Sequence, residues 1–154
     1  MRGQFVRRDG LTLPNNVSLA GAEAILKGAF RLTAQAWYAA LVTGSASPIM
    51  TMGDMDEPAI GTNGYARVAI AQSGVGWPTL GTLVNEKYIE SDWLTFTASG
   101  GNFSIPVQRI ALLGFATYSA AHPVFALSAI LPEEITITPA TLLANRQFKY
   151  QFFL

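Results

Sequence analysis

From Ala36 onward, apolar residues come in short runs that stop at turn-forming residues. AWYAALVT runs into the Gly44-Ser45-Ala46-Ser47-Pro48 break, YARVAIAQ into Ser73-Gly74, and WLTFTA into Ser99-Gly100-Gly101-Asn102. VQRIALLGFATY stops near Ala121-His122, VFALSAIL at Pro132, ITIT at Pro139, and QFKYQFF follows. Segments of this kind at roughly ten-residue spacing predict an antiparallel sandwich or barrel. Thr95, Thr97, Thr136 and Thr138 alternate with Leu94, Phe96, Ile135 and Ile137, the period of a sheet with one wet face. Phe148, Tyr150 and Phe152 share a face against Lys149 and Gln151.

The opening of the chain follows neither period. Gly3, Gly10, Pro14 and the Asn15-Asn16 pair punctuate residues 1–17, which predicts an extended, irregular N-terminal arm. A helix is predicted over about 19–31: Ser18 suits an N-cap, and Leu19, Ala22, Leu26, Ala29 and Phe30 recur at helical spacing. Glu23 and Lys27, four apart, support it from the other side. The expected fold is mainly β, a jelly-roll-like antiparallel β-sandwich with one short N-terminal helix. Residues 18–154 form its single domain and 1–17 the arm. Such an arm needs contacts to become ordered. Phe5, Val6 and Leu11 are expected to fill apolar pockets and Arg2, Arg7 and Arg8 to reach acidic groups, with a neighbouring subunit as the expected source.

The stretch from Pro48 to Asn63 has no stable period and carries Met50, Met52 and Met55 beside Asp54, Asp56 and Glu57. It reads as a long exposed loop. Its methionines either adapt to a partner surface or fold back onto the sheet. Gly64 allows a positive-φ turn before Tyr65, and Arg67, on the face of Tyr65, can pair with an acid of 54–57 or stack on a ring. Trp77, in a glycine-flanked turn, and Trp93 either anchor a partner or cap the core.

Composition sharpens the reading toward assembly. Half of the 154 residues are apolar and 13% are charged, against roughly 25% in an ordinary domain. Ten Lys+Arg balance ten Asp+Glu, so electrostatic protection against association is slight. A homo-oligomer, dimer or trimer, is therefore expected. Neutrality argues against nucleic-acid binding, which needs a basic excess. No membrane span is expected, because no stretch approaches the ~18 uninterrupted apolar residues that spanning requires. Arg2, Arg7, Arg8 and Asp9 interrupt any signal-peptide pattern, so no secretion address is expected.

No constellation for catalysis emerges. Cysteine is absent, His122 is the sole histidine, and no nucleophile-elbow pattern accompanies it, so His122 reads as a turn residue. Asp54, Asp56 and Glu57 lack the calcium-loop pattern. Adjacent Glu133 and Glu134 would point to opposite sheet faces. GTNG, GVG and SGG read as turns. The expectation is a protein without catalytic residues, metal or cofactor.

EPAIGTNGYARVAIAQ, GWPTLG and YIESDWLTFTASGGNFSIPVQRIALL, spanning Glu57 to Leu113, resemble small virion proteins of tailed bacteriophages. That resemblance implies a non-enzymatic virion component made in the host cytoplasm. The first expectation is a capsid decoration (cement) protein that bridges subunits of the major capsid protein. The alternatives are a tail, fibre or baseplate component and, from a different class, a carbohydrate-binding β-sandwich module using exposed tryptophans.

Overall fold

A computed structural model describes residues 2–17, 36–44, 49–71, 75–83, 86–103, 106–128, 131, 135–141 and 146–153. The helix expected over about 19–31 lies outside the described residues. Among those residues the strands are β1 (Arg2–Arg7), β2 (Thr12–Val17), β3 (Trp37–Val42), β4 (Val68–Ile70), β5 (Thr79–Leu83), β6 (Glu86–Glu90), β7 (Leu94–Thr95), β8 (Arg109–Leu113), β9 (Val124–Ser128) and β10 (Gln147–Phe153). The protein is mainly β and every strand pairing is antiparallel. Hydrogen bonding orders the strands β4-β3-β8-β9-β2-β1-β10-β6-β5, with β7 also on β10.

The N-terminal arm is corrected by this order. Residues 2–17 are a hairpin at the centre of the ladder: β1 pairs with β10 from Arg2↔Phe153 to Arg7↔Phe148, and with β2 on its other side. The residues that read as breakers build its turn. Gly10 supplies a φ of 93°, Arg7 N–H donates to the Leu11 carbonyl at 2.8 Å, and the Asp9 carboxylate accepts from Leu11 N–H. Pro14 lies in β2 opposite Gln4 of β1. Residues 2–17 thus lie within the same sheet as the other described strands.

One large core takes side chains from both halves of the ladder. Phe5, Leu94, Phe96, Phe148 and Tyr150 come from one half, and Ala39, Leu41, Ile70, Ile110, Leu112 and Phe125 from the other. The alternation read in the sequence holds: Leu94, Phe96 and Ile137 are buried while Thr97 and Thr136 are exposed. Phe5 meets Tyr150 edge to face, ring centroids 5.0 Å apart, and Phe96 meets Phe148 at 6.2 Å.

The segment from β6 to β7 runs along β10 and shifts register by one residue between the two strands. Ser91 fills the irregularity. Its N–H donates to the Tyr150 carbonyl at 2.9 Å, and its Oγ accepts from Tyr150 N–H at 2.8 Å. A side-chain oxygen there stands where a ladder carbonyl would otherwise be.

Candidate interaction surface

β3, β8 and β9 are buried on both faces. The face turned away from the large core carries Ala40, Val42, Ala111, Leu113 and Val124, and a second apolar cluster forms over it from Ile49 and Met52. Small alanines on β3 and β8 let the 49–56 segment lie close. Backbone bonds fix it there: Val124 N–H donates to Met50 O at 2.9 Å, Met52 N–H to His122 O at 2.8 Å, and Thr43 N–H to Asp56 O at 2.8 Å. Asp54 closes a tight turn, its Oδ2 accepting from Thr51 N–H and Thr51 Oγ1, each at 2.9 Å, and from Met50 N–H at 3.2 Å. These bonds, those of Thr51 first, hold the Asp54 carboxyl below the ordinary carboxylate range.

A buried clasp secures the other end of the segment. Arg67 donates from Nη2 to Glu57 Oε1 at 2.9 Å and from Nε to both Glu57 oxygens at 3.2 Å. Its Nη1 donates to the Ala116 carbonyl at 2.9 Å. The Arg67 side chain is 3% exposed and that of Glu57 14%. One guanidinium therefore joins the 49–57 segment, the start of β4 and the loop after β8. Tyr65 stands beside it, its hydroxyl accepting from Leu41 N–H at 3.0 Å and lying 3.5 Å from Glu57 Oε2. β4 begins at Val68, opposite Ala39, so no β4 residue pairs with Leu41, and the tyrosine takes its donor instead. Burial first, then the Glu57 charge, pushes the Tyr65 hydroxyl well above the ordinary phenol range. Tyr65→Phe is expected to cost about 1–3 kcal/mol, the penalty for a buried N–H without its acceptor. Urea denaturation of the two proteins measures it.

This scaffold presents three large apolar side chains to solvent among exposed polar residues such as Asp54, Asp56 and Thr117. Met50 is 37% exposed, Ile60 55% and Tyr118 60%. Met50 and Tyr118 lie on adjoining segments, since Gly53 N–H donates to the Ala120 carbonyl and Thr51 bridges Pro123. His122 stacks on Phe115 with centroids 3.9 Å apart, and its Nδ1 lies 3.3 Å from the Thr117 carbonyl. The sole histidine thus props this turn.

The residues expected to touch partners divide sharply. Met50 is on the surface, Met55 is half-buried against the second cluster, and Met52 is fully buried, so Met52 offers no contact to a partner. Phe5 is buried in this chain's own core, Leu11 packs against that core, and Val6 is half-buried in β1. Phe5 meets Tyr150 of β10 rather than a neighbour's pocket. Arg2 lies in β1 opposite Phe153. Arg7 pairs with Asp9 at 2.7 Å, while Arg8 donates to Gln147 Oε1 at 2.7 Å and lies over Trp93. Those guanidiniums find their partners within the chain. Trp77 is half-buried against the core, edge-on to Tyr150 at 6.3 Å.

Ile60 and Tyr118 escaped sequence reasoning. Tyr118 sits in the run VQRIALLGFATY, whose strand ends at Leu113, and Gly114 was the available signal. Among the described residues no group of three His, Asp or Glu gathers to hold a metal. Also among them, no helix is long and apolar enough to cross a membrane. No protein-family model matches the chain, and no curated protein matches it at a significant level.

Proposed function

We propose that this chain is a non-enzymatic virion structural protein of a tailed phage. On this reading it is a capsid decoration (cement) protein: a jelly-roll-like sandwich that forms a homo-oligomer and bridges subunits of the major capsid protein. The observation that carries the reading is the pairing of a clasped scaffold with exposed apolar side chains at Met50, Ile60 and Tyr118. Apolar anchors on pre-ordered loops suit docking, because little entropy is lost when they are covered. Low charge and zero net charge support burial of that surface in an assembly.

The carbohydrate alternative draws less support. Trp93 lies under Arg8 and Lys149, and Trp77 packs on the core, so neither offers an open ring face to a sugar. A tail, fibre or baseplate position uses the same surface and is separated by location: virion density for the chain confined to the tail overturns the decoration reading. The contact surface has its own test. Met50→Asp with Tyr118→Asp is expected to fold as wild type and to bind particles lacking the protein about ten- to a hundredfold more weakly, the range for losing two anchors. Unchanged binding removes this surface from the interface.

A further inference from the structure

Asn63 precedes Gly64, so a side-chain amide stands next to the least hindered backbone nitrogen a protein offers. In the fold this dipeptide is the corner of a tight turn. Asn63 has φ 50° and ψ 30°, Gly64 has φ 80°, and Tyr65 N–H donates to Thr62 O at 3.0 Å. These are the angles of a type I′ turn, which asparagine and glycine tolerate best. At that ψ the Gly64 nitrogen lies on the far side of the Cα–C bond from the Asn63 side chain, out of reach of Cγ. The side chain is also engaged. Its Nδ2 donates to the Asn102 carbonyl, and Ser99 N–H donates to Asn63 O at 2.7 Å. Asn63 Oδ1 lies 2.8 Å from where a Cβ on Gly101 would stand.

We propose that Asn63 is a site of spontaneous deamidation that the fold holds closed. Reaction requires the 61–65 turn to part from residues 97–102. In that open state the Gly64 nitrogen gives its proton to solvent and attacks Asn63 Cγ. The N–Cγ bond forms, the Cγ–Nδ2 bond breaks, and the nitrogen leaves as ammonia after taking a proton from water. Water then cleaves either carbonyl–nitrogen bond of the imide, leaving an aspartyl or an isoaspartyl residue. Water is the only co-reactant. Neither product restores the contact: an ionised carboxylate has no proton to donate to the Asn102 carbonyl, and an isoaspartyl link carries the main chain through Cβ and loses the turn. The modification is one-way, and it loosens the turn that leads into Tyr65 and Arg67. This inference is independent of the virion reading.

Peptide mapping after incubation at mildly alkaline pH tests it, on native protein, on urea-unfolded protein and on native Gly101→Ala. The unfolded chain is expected to deamidate at residue 63 about tenfold faster or more, since the native rate is limited by local opening. Gly101→Ala displaces the Asn63 side chain and is expected to raise the native rate severalfold. Equal rates in native and unfolded protein, or no effect of Gly101→Ala in a folded variant, overturn the proposal. If Gly101→Ala does not fold, Asn63→Asp decides: it is expected to unfold at lower urea than wild type, and an unchanged midpoint overturns the proposal.

Discussion

A chain lacking residues 1–13 is expected not to fold. The deletion removes β1 from between β2 and β10, together with the first two residues of β2. It takes away Phe5, a fully buried ring against Tyr150, and bares one edge of β10 from Phe148 to Phe153. Losing a buried phenylalanine side chain alone costs about 3–5 kcal/mol. An exposed ladder is added to that, against a total stability of about 5–15 kcal/mol for a domain. The truncated protein should lack a cooperative transition in urea and a near-ultraviolet circular dichroism signal. Phe5→Ala, the milder change, should fold with stability lowered by about 3–5 kcal/mol. A cooperative transition in the truncated chain at the wild-type midpoint would show that β1 is peripheral and the hairpin placement wrong.

Arg67→Ala is expected to be the most damaging single change outside the large core. It leaves the Glu57 carboxylate, 14% exposed, without the guanidinium that holds both its oxygens, and frees the Ala116 carbonyl. Removing one partner of a buried ion pair costs about 3–5 kcal/mol, much of it the penalty for the charge left behind. Replacing both partners, Glu57→Leu with Arg67→Met, should therefore cost less than Arg67→Ala, because no buried charge remains. Chemical denaturation of the single and double variants forms a cycle that measures the coupling. A loss below about 1 kcal/mol for Arg67→Ala would mean the pair behaves as an exposed one. The 49–57 segment, and Met50 with it, would then be held by its backbone bonds and the second cluster alone.

Part of the β pattern was legible because some segments alternate with period two, although Ile135 forms only an isolated bridge to Val107 and β3, β8 and β9 are buried on both faces. Leu94–Thr97, Ile135–Thr138 and Phe148–Gln151 each set apolar residues against polar ones. Each has a core side and a wetter side in the fold. Gly64 before Tyr65 was readable as a positive-φ turn because few other residues adopt that backbone at so little cost. The pairing of Arg67 with an acid of 54–57 was readable as a possibility from charge and face, but only the tertiary structure selected Glu57 over Asp54 and Asp56. Asp54 is consumed by its own turn, and the turn's path brings Glu57 under the guanidinium.

The hairpin of residues 2–17 was not legible. Its residues carry no clean alternation: Gly3, Gln4, Pro14, Asn15 and Asn16 are strand residues only because β10, β1, β2 and β9 offer backbone partners on both sides. Propensity describes a residue against water, and a strand in the middle of a ladder is decided by its neighbours. β6, between β10 and β5, was missed for the same reason. Met52 shows the rule from the opposite side. The sequence determined an adaptable, methionine-bearing segment without a period of its own. The tertiary structure decided that this segment lies across β3, β8 and β9, because alanines at positions 40 and 111 leave an apolar face that would otherwise meet water. The sequence by itself determined the antiparallel β class, the turns and the shortage of charge. Which apolar residues became core and which remained surface was settled by packing between segments far apart in the chain, a property that no local pattern carries.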